Sequence, residues 1–217
     1  MLTATRPPAP VRGAPASAFD PALAGVPARI VRSDGIEVEL DVRRWQDAAA
    51  GADRWLLDRC TGPAIDLGCG PGRLIAALVE RGVPTLGIDD SGVAQRQCRR
   101  RRLPMVRRDV FAGLPAEGCW DHVLLADGNI GIGGDPLRLL RRAARLLHPG
   151  GTVLVETDRR ADLLWCGSVR VHTVDGASRP LPWACVGADA LRALADAAGL
   201  VRTDGYAGTR SFVELTS

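Results

Sequence analysis

The sequence predicts an α/β domain in which a parallel sheet is covered by helices on both faces. Two observations carry that expectation. From Pro63 onward, short apolar runs alternate with amphipathic helical ones, the pattern of strand–helix crossovers. The stretch Ala64-Ile65-Asp66-Leu67-Gly68-Cys69-Gly70-Pro71-Gly72-Arg73 then sets two apolar residues and an aspartate ahead of three spaced glycines and a helical run. A strand, a sharp glycine turn and a helix N-terminus make a nucleotide-type site, because backbone amides without side chains in the way face the ligand.

Taken in order, residues 1–25 hold Pro7, Pro8, Pro10, Pro15 and Pro21 with few large apolar residues. Such a stretch cannot offset the entropy of ordering and is expected to be a disordered tail. Ile36, Val38, Leu40 and Val42 alternate with acids, a period of two that predicts a half-buried strand. With 29–32 and the turn Ser33-Asp34-Gly35 before it, a hairpin is expected, followed by a helix over 47–60. Strands are expected at 64–67, 85–88, 105–107, 122–126 and 152–156, and helices at 72–81, 91–101, 136–147 and 188–198. In 136–147, Leu137, Leu140, Ala144 and Leu147 trace one face and Arg138, Arg141, Arg142 and Arg145 lie elsewhere; His148-Pro149-Gly150-Gly151 stops the helix. Residues 163–186 break the alternation and read as a flap inserted after the fifth strand, where it would cover the site. A strand over 210–215 ends the domain, so the main body runs over 26–217.

Composition narrows the class. A 217-residue chain with 46% hydrophobic and 24% charged residues suits one globular domain. A net charge of +3 does not demand a polyanionic partner. Six cysteines without a Cys-x-x-Cys pair lack zinc-ribbon spacing, no metal cluster follows from spacing, and the expected compartment is the reducing cytoplasm. Met1-Leu2-Thr3-Ala4 opens no secretory apolar run, and no segment approaches the ~20 apolar residues of a membrane span.

The glycine stretch does not stand alone. Asp66-Leu67-Gly68-Cys69-Gly70-Pro71-Gly72 resembles the first motif of the class I S-adenosylmethionine-dependent methyltransferases. Gly87-Ile88-Asp89-Asp90-Ser91 ends the next strand with an acid, as that family's second motif does. Arg108-Asp109-Val110-Phe111 resembles the third, the run from Trp120 to Asp127 the fourth, and the run from Leu146 to Leu154 the turn before strand five. Five landmarks in order are far more specific than one glycine loop. The resemblance implies a Rossmann-like three-layer sandwich with a mostly parallel seven-stranded sheet and an antiparallel last strand, here carrying an N-terminal hairpin and helix and the flap.

It also implies the cofactor, S-adenosyl-L-methionine, and its ligands. Gly68, Gly70 and Gly72 would close the backbone around its amino-acid end, and Asp66 would anchor that loop and help hold the ammonium. Asp89 would accept from the two ribose hydroxyls. Asp109 would accept from the adenine amino group, the Val110 amide would meet a ring nitrogen, and Ile88 and Phe111 would border the ring. Asp127 would complete the cofactor side. Asp90 is expected to cap the helix that starts near Ser91. A dinucleotide fingerprint would instead put glycine or alanine at 73, where the chain has Arg73.

The acceptor is less constrained. The segment from Asp127 to Pro136 lacks the Asn/Asp-Pro-Pro-Tyr sequence of many enzymes that methylate bases or glutamine. Arg96, Arg99, Arg100, Arg101, Arg102, Arg107 and Arg108 are not interleaved with aromatics, as single-stranded bases would require, and cations suit a helix C-terminus. A small-molecule methyl acceptor is therefore expected, ahead of RNA, protein, or a non-catalytic cofactor-binding module. His172 in the flap is the candidate base, with Asn129 beside the reactive methyl as a second catalytic candidate. His122 and His148 read as structural. Trp45, Trp165 and Trp183 are candidate walls of the acceptor pocket, and Arg43 and Arg44 read as a solvated pair beside Trp45.

Overall fold

The computed structural model describes residues 17–217, so the expected tail lies outside the described residues up to position 16. From 17 the chain is already structured. Asp20–Leu23 form a short helix, α1, with Pro21 in its first turn, where proline's fixed φ and missing N–H cost nothing. Ala22 is fully buried and packs with Ala28, Val42 and Val171. The proline count at 1–25 hid this anchor.

β1 (Arg29–Arg32) and β2 (Glu37–Glu39) form the expected hairpin. The second strand stops short of Val42, because the Asp41 carboxylate accepts the Arg44 N–H at 3.1 Å and caps a new helix, α2 (Val42–Gln46). The helix expected over 47–60 is reduced to α3 (Asp53–Arg59). The alternation that follows is β3 (Ala64–Leu67), α4 (Arg73–Glu80), β4 (Thr85–Asp89), α5 (Gly92–Arg100), β5 (Met105–Arg107) and β6 (Trp120–Leu125). A 3-10 turn over Asn129–Gly134 leads into α6 (Pro136–Leu146) and β7 (Leu147–Thr157). The flap is β8 (Leu164–Thr173), β9 (Gly176–Ala177) and β10 (Leu181–Val186), and α7 (Ala190–Ala197), β11 (Val201–Ala207) and β12 (Ser211–Thr216) finish the chain.

The main sheet has seven strands in the order β5-β4-β3-β6-β7-β12-β11. Its members from β5 to β7 are parallel, and β12, the last strand, runs antiparallel to both β7 and β11. Every residue of β3 is buried, as a strand covered on both faces requires. The period-two pleat splits the core: Ile65, Val123, Val153 and Val213 pack on one face, Ala64, Leu124, Leu154 and Phe212 on the other. α6 buries Leu139, Leu140, Ala143 and Leu146, a face rotated from the one expected. Arg142 is buried with them and donates to the carbonyls of Val110 at 2.9 Å and Ala112 at 2.6 Å and to Glu117 at 2.7 Å. This clamp fixes the loop after β5.

β3 pairs with β4 on one side and β6 on the other, so the strand order reverses there. Ligands in such sheets bind beyond the carboxyl ends at that reversal. A second sheet, β10-β8-β1-β2, roofs this position. The hairpin and the flap, expected as separate additions, are one sheet: Ile30 of β1 faces Val171 of β8. No helix among the described residues is long and apolar enough to cross a membrane.

Candidate active site

Between the carboxyl ends of the main sheet and the roof lies a cleft of about 620 Å³, within the range of small-molecule sites. Gly68, Gly70, Asp89, Asp109, Val110, Asp127 and Asn129 all line it, although they come from four separate strand ends. Gly72 and Asp66 do not line it, and a Cβ on Gly72 would meet Leu103 and Cys98.

The glycine loop is held from two sides. Gly68 and Cys69 donate to the Ile88 carbonyl at 2.8 and 3.1 Å, which ties the loop to the end of β4. On the other side Asn129 Nδ2 donates to the carbonyls of Leu67 and Gly68 at 2.9 and 2.8 Å. Gly68 has φ of 78°, and a Cβ there would come within 2.5 Å of that Nδ2. Glycine is thus required for both conformation and space. Asn129, a catalytic candidate from the sequence, spends its amide donors on this loop.

Asp89 shapes the next corner. Its two oxygens accept the N–H groups of Gly70 at 2.9 Å and Ser91 at 2.8 Å. Burial pushes its carboxyl up to about 6, against the pull of those two amides. Ser91, and not Asp90, caps α5: its Oγ accepts from Val93 and Ala94 at 3.0 and 3.1 Å. Asp90 offers its carbonyl to Arg107 Nε at 2.7 Å and is exposed. Asp109 accepts the Phe111 N–H at 2.9 Å and keeps its second oxygen toward solvent and cleft. Ile88 is fully buried in the core and Phe111 lies beneath the Arg138 guanidinium, 3.9 Å from its ring centroid, so neither borders the cleft as expected.

Asp66 is 3% exposed and no protein group hydrogen-bonds its carboxylate among the described residues. Burial, reinforced by the charge of Asp127 and only partly offset by Arg73, pushes it up to about 7.

Below the cleft is an ion network that the sequence did not reveal. Asp127 receives Arg73 at 2.7 Å, Arg44 at 2.9 Å and Arg210 at 3.0 Å. Arg73 and Arg210 both also pair with Asp53, and Arg210 Nε donates to Glu156 at 2.7 Å. Glu156 in turn accepts the Asp127 N–H. Three cations meet three anions, as buried charges must. Asp127, expected among the cofactor ligands, is thereby committed to three guanidinium partners, and Arg44 is no solvated residue. Only position 73 carried a signal, as an arginine where a dinucleotide loop has a small residue; the partners are scattered from 44 to 210.

Toward the roof, Trp45 and Trp183 line the cleft, and Trp183 packs against Phe19 with centroids 5.3 Å apart. Trp165 does not line it: Arg32 sits over its ring at 4.0 Å. His172 does not line it either. It stands opposite Arg29 and Ala177 on β8, and the flanking Val171 and the cleft-lining Val169 point to the other face of that strand. His122 is structural, its ring bridging Thr152 Oγ1 at 2.8 Å and the Thr61 N–H at 3.2 Å; burial lowers its pKa. His148 pairs with Asp121 at 2.9 Å.

Comparison with known proteins agrees with this architecture. Residues 64–151 match the family model described as a methyltransferase domain. Among curated proteins, the chain is 35% identical over 105 residues to a ubiquinone biosynthesis O-methyltransferase of Methylococcus capsulatus, covering 45% of this chain and 44% of that one. It is 32% identical over 109 residues to a trans-aconitate 2-methyltransferase of Sinorhizobium fredii, covering 48% and 42%. The chain thus spans less than half the length of these relatives. Among solved structures, a SAM-dependent methyltransferase from Bacteroides fragilis, in complex with S-adenosyl-L-homocysteine, superposes with a TM-score of 0.77 at 21% identity, covering 94% of this chain and 96% of that one.

Proposed function

We propose that this chain, a member of the class I S-adenosylmethionine-dependent methyltransferase superfamily, transfers a methyl group from S-adenosylmethionine to a small-molecule acceptor. The observation that carries the reading is the glycine loop held between Asn129 and Asp89 in one cleft with Asp109. When bound, the cofactor supplies a methyl group already activated on a sulfonium. The residues suit such a ligand in two ways. Gly68 leaves a cradle that any Cβ would fill, and the carboxyls of buried Asp66 and half-buried Asp89 form no ion pair among the described residues and are pushed up by desolvation, which a cationic ligand would offset.

In this reading Asp89 accepts from the ribose hydroxyls through the lone pairs its two amide partners leave open. Asp109 and the Val110 amide take the adenine edge, and Asp66 faces the amino-acid end behind the loop. The network around Asp127 fixes the floor, so the chain contributes alignment and water exclusion. His172, on the face of β8 opposite the cleft-lining Val169, is given no part in this reading.

The small-molecule acceptor is supported by the roof, which closes the cleft with the flap and hairpin. The arginine run also has work of its own: Arg101 donates to the Pro71 carbonyl at 2.9 Å, Arg107 to Asp90 at 2.7 Å and Arg108 to Gly113 at 2.6 Å. Both curated relatives named above act in small-molecule chemistry by their names. Calorimetry with S-adenosylmethionine, followed by an acceptor screen for release of S-adenosylhomocysteine, tests the reading. Absence of cofactor binding would overturn it, and tight RNA binding that weakens steeply with salt would overturn the acceptor class.

A further inference from the structure

The acceptor half of the cleft has a chemistry of its own. Its walls are apolar and aromatic: Leu181, Pro182 and Trp183 come from the flap, Trp45 from α2, and Phe19 from just before α1. The Trp183 indole is fixed, tilted 49° against Phe19. It lies over Gly131, where a Cβ would meet the Ala184 carbonyl and come within 2.6 Å of the indole nitrogen. The cationic residues lining the main cleft are engaged elsewhere, and Arg159, exposed, lines only the side cavity. Arg44 and Arg73 pair with Asp127, Arg32 Nε donates to Asp34 at 3.0 Å, and Arg108 holds the Gly113 carbonyl.

Asp158 differs from them. It follows β7 directly, at the carboxyl end of the sheet, where the main cleft meets a side cavity of about 210 Å³ that shares Gly128, Trp183 and Cys185 with it. Its backbone is pinned, with its N–H donating to Val186 at 2.8 Å and a bridge to Gly187. One carboxylate oxygen accepts the Arg160 N–H at 2.9 Å. The other has no protein partner, and Asp158 forms no ion pair among the described residues. A fixed, half-buried carboxylate without an ion-pair partner among the described residues, which lines both cavities with Trp183 and shares the main cleft with Phe19, suits a cation, since ring faces and carboxylate attract the same charge.

We infer that the acceptor is a small amine, recognised as its ammonium by the free oxygen of Asp158 and the Phe19–Trp183 pair; one N–H proton passes to that oxygen, which frees the nitrogen lone pair needed to accept a methyl group. The inference rests on the reading of this cleft as a methyl-transfer site. Asp158 then acts as a specificity residue, selecting nitrogen over oxygen acceptors of the same shape. A carboxylic acid would face an uncompensated like charge there, and an alcohol would gain neither the ionic contact nor the cation–π contact.

The test uses the full chain saturated with S-adenosylhomocysteine and three probes of one shape, benzylamine, benzyl alcohol and benzoate, measured by calorimetry at neutral pH. The amine is expected to bind about tenfold or more tighter than the other two. Asp158→Asn should shrink that margin to about threefold or less while leaving S-adenosylhomocysteine affinity unchanged. Phe19→Leu, which keeps an apolar contact and removes a ring face, should weaken the amine and leave the alcohol alone. Equal or tighter binding of the alcohol or benzoate, no binding of any probe, or a margin untouched by both variants would overturn the inference. Failure of S-adenosylhomocysteine itself to bind would instead sink the cofactor reading on which it rests.

Discussion

Arg73 donates to the Asp127 carboxylate at 2.7 Å, joining the first residue of the helix after the glycine loop to the residue just past the end of β6. The contact spans the reversal point of the sheet, directly under the cleft. Arg73 is 3% exposed and reaches Asp53 with its other terminal nitrogen. One side chain therefore ties α3, α4 and the β6 end into a single floor. The network it belongs to is charge-balanced, so its rigidity does not depend on a ligand.

Removing Arg73 leaves Asp53 buried beside one guanidinium in place of two. We expect Arg73→Met to destabilise the fold by about 3–5 kcal/mol, the usual cost of breaking a buried pair from one side. Arg44→Met removes a partner that is 31% exposed and should cost about 1 kcal/mol or less. Urea unfolding of both variants checks the contrast; equal losses would show that the network does not hold the floor.

Asp66 gives the protein a pH dependence with a definite sign. Its carboxyl is pushed from 3.8 up to about 7 by burial and by Asp127. Between those values the folded state holds a proton that the unfolded chain has released, so stability falls as pH rises through that window and levels off above it. Asp89, pushed up to about 6, adds the same trend over a narrower range. The Tm without ligand should drop from pH ~5 to ~7, and saturating S-adenosylmethionine should flatten the drop, because a bound cation favours the ionised carboxylates. A Tm that rises across this window, or a drop that the ligand leaves unchanged, would contradict the assignment.

Asn129→Asp separates positioning from chemistry. The exchange replaces a donor with an acceptor facing the Leu67 and Gly68 carbonyls, 2.9 and 2.8 Å away. Cofactor affinity should fall by about tenfold or more, since a half-buried carboxylate against two carbonyls costs at least one lost hydrogen bond. If calorimetry gives unchanged cofactor affinity and only turnover falls, Asn129 belongs to the chemistry after all.

What could be read from the sequence was local. Gly68, Gly70, Asp89 and Asp109 are legible because a turn or a strand end needs a particular residue at a short, fixed offset. The sheet is legible because strands buried on both faces carry apolar runs, such as Val123-Leu124-Leu125 in β6. Long-range pairings leave no such trace. Nothing near Ile30 or Val171 announces that they face each other across two strands, and nothing near Asp53, Glu156 or Arg210 announces a shared carboxylate–guanidinium network. His172 shows a different failure. Its residue type suggested chemistry, but strand parity turns it away from the cleft, a fact set by which face of β8 the roof presents. Trp165 shares the strand parity of the cleft-lining Val169, and Arg32 covers its ring instead.

Asp89→Ala is the sharpest probe of the cofactor half, and the structure changes how its result must be read. The carboxylate would contribute charge-assisted bonds to the ribose, and its loss alone should cost on the order of 1.5–3 kcal/mol of cofactor affinity. It also satisfies the amides of Gly70 and Ser91, so truncation loosens the loop and the start of α5 as well. Asp89→Asn keeps one acceptor oxygen for the loop and gives up the charge. If ribose recognition dominates, both variants lose about tenfold or more in affinity while Asp89→Asn unfolds near the parent. If the loop contacts dominate, Asp89→Asn recovers most of the affinity. Calorimetry with S-adenosylhomocysteine on each variant, beside its Tm, distinguishes the two, and unchanged affinity in a folded Asp89→Ala protein would place the ribose elsewhere.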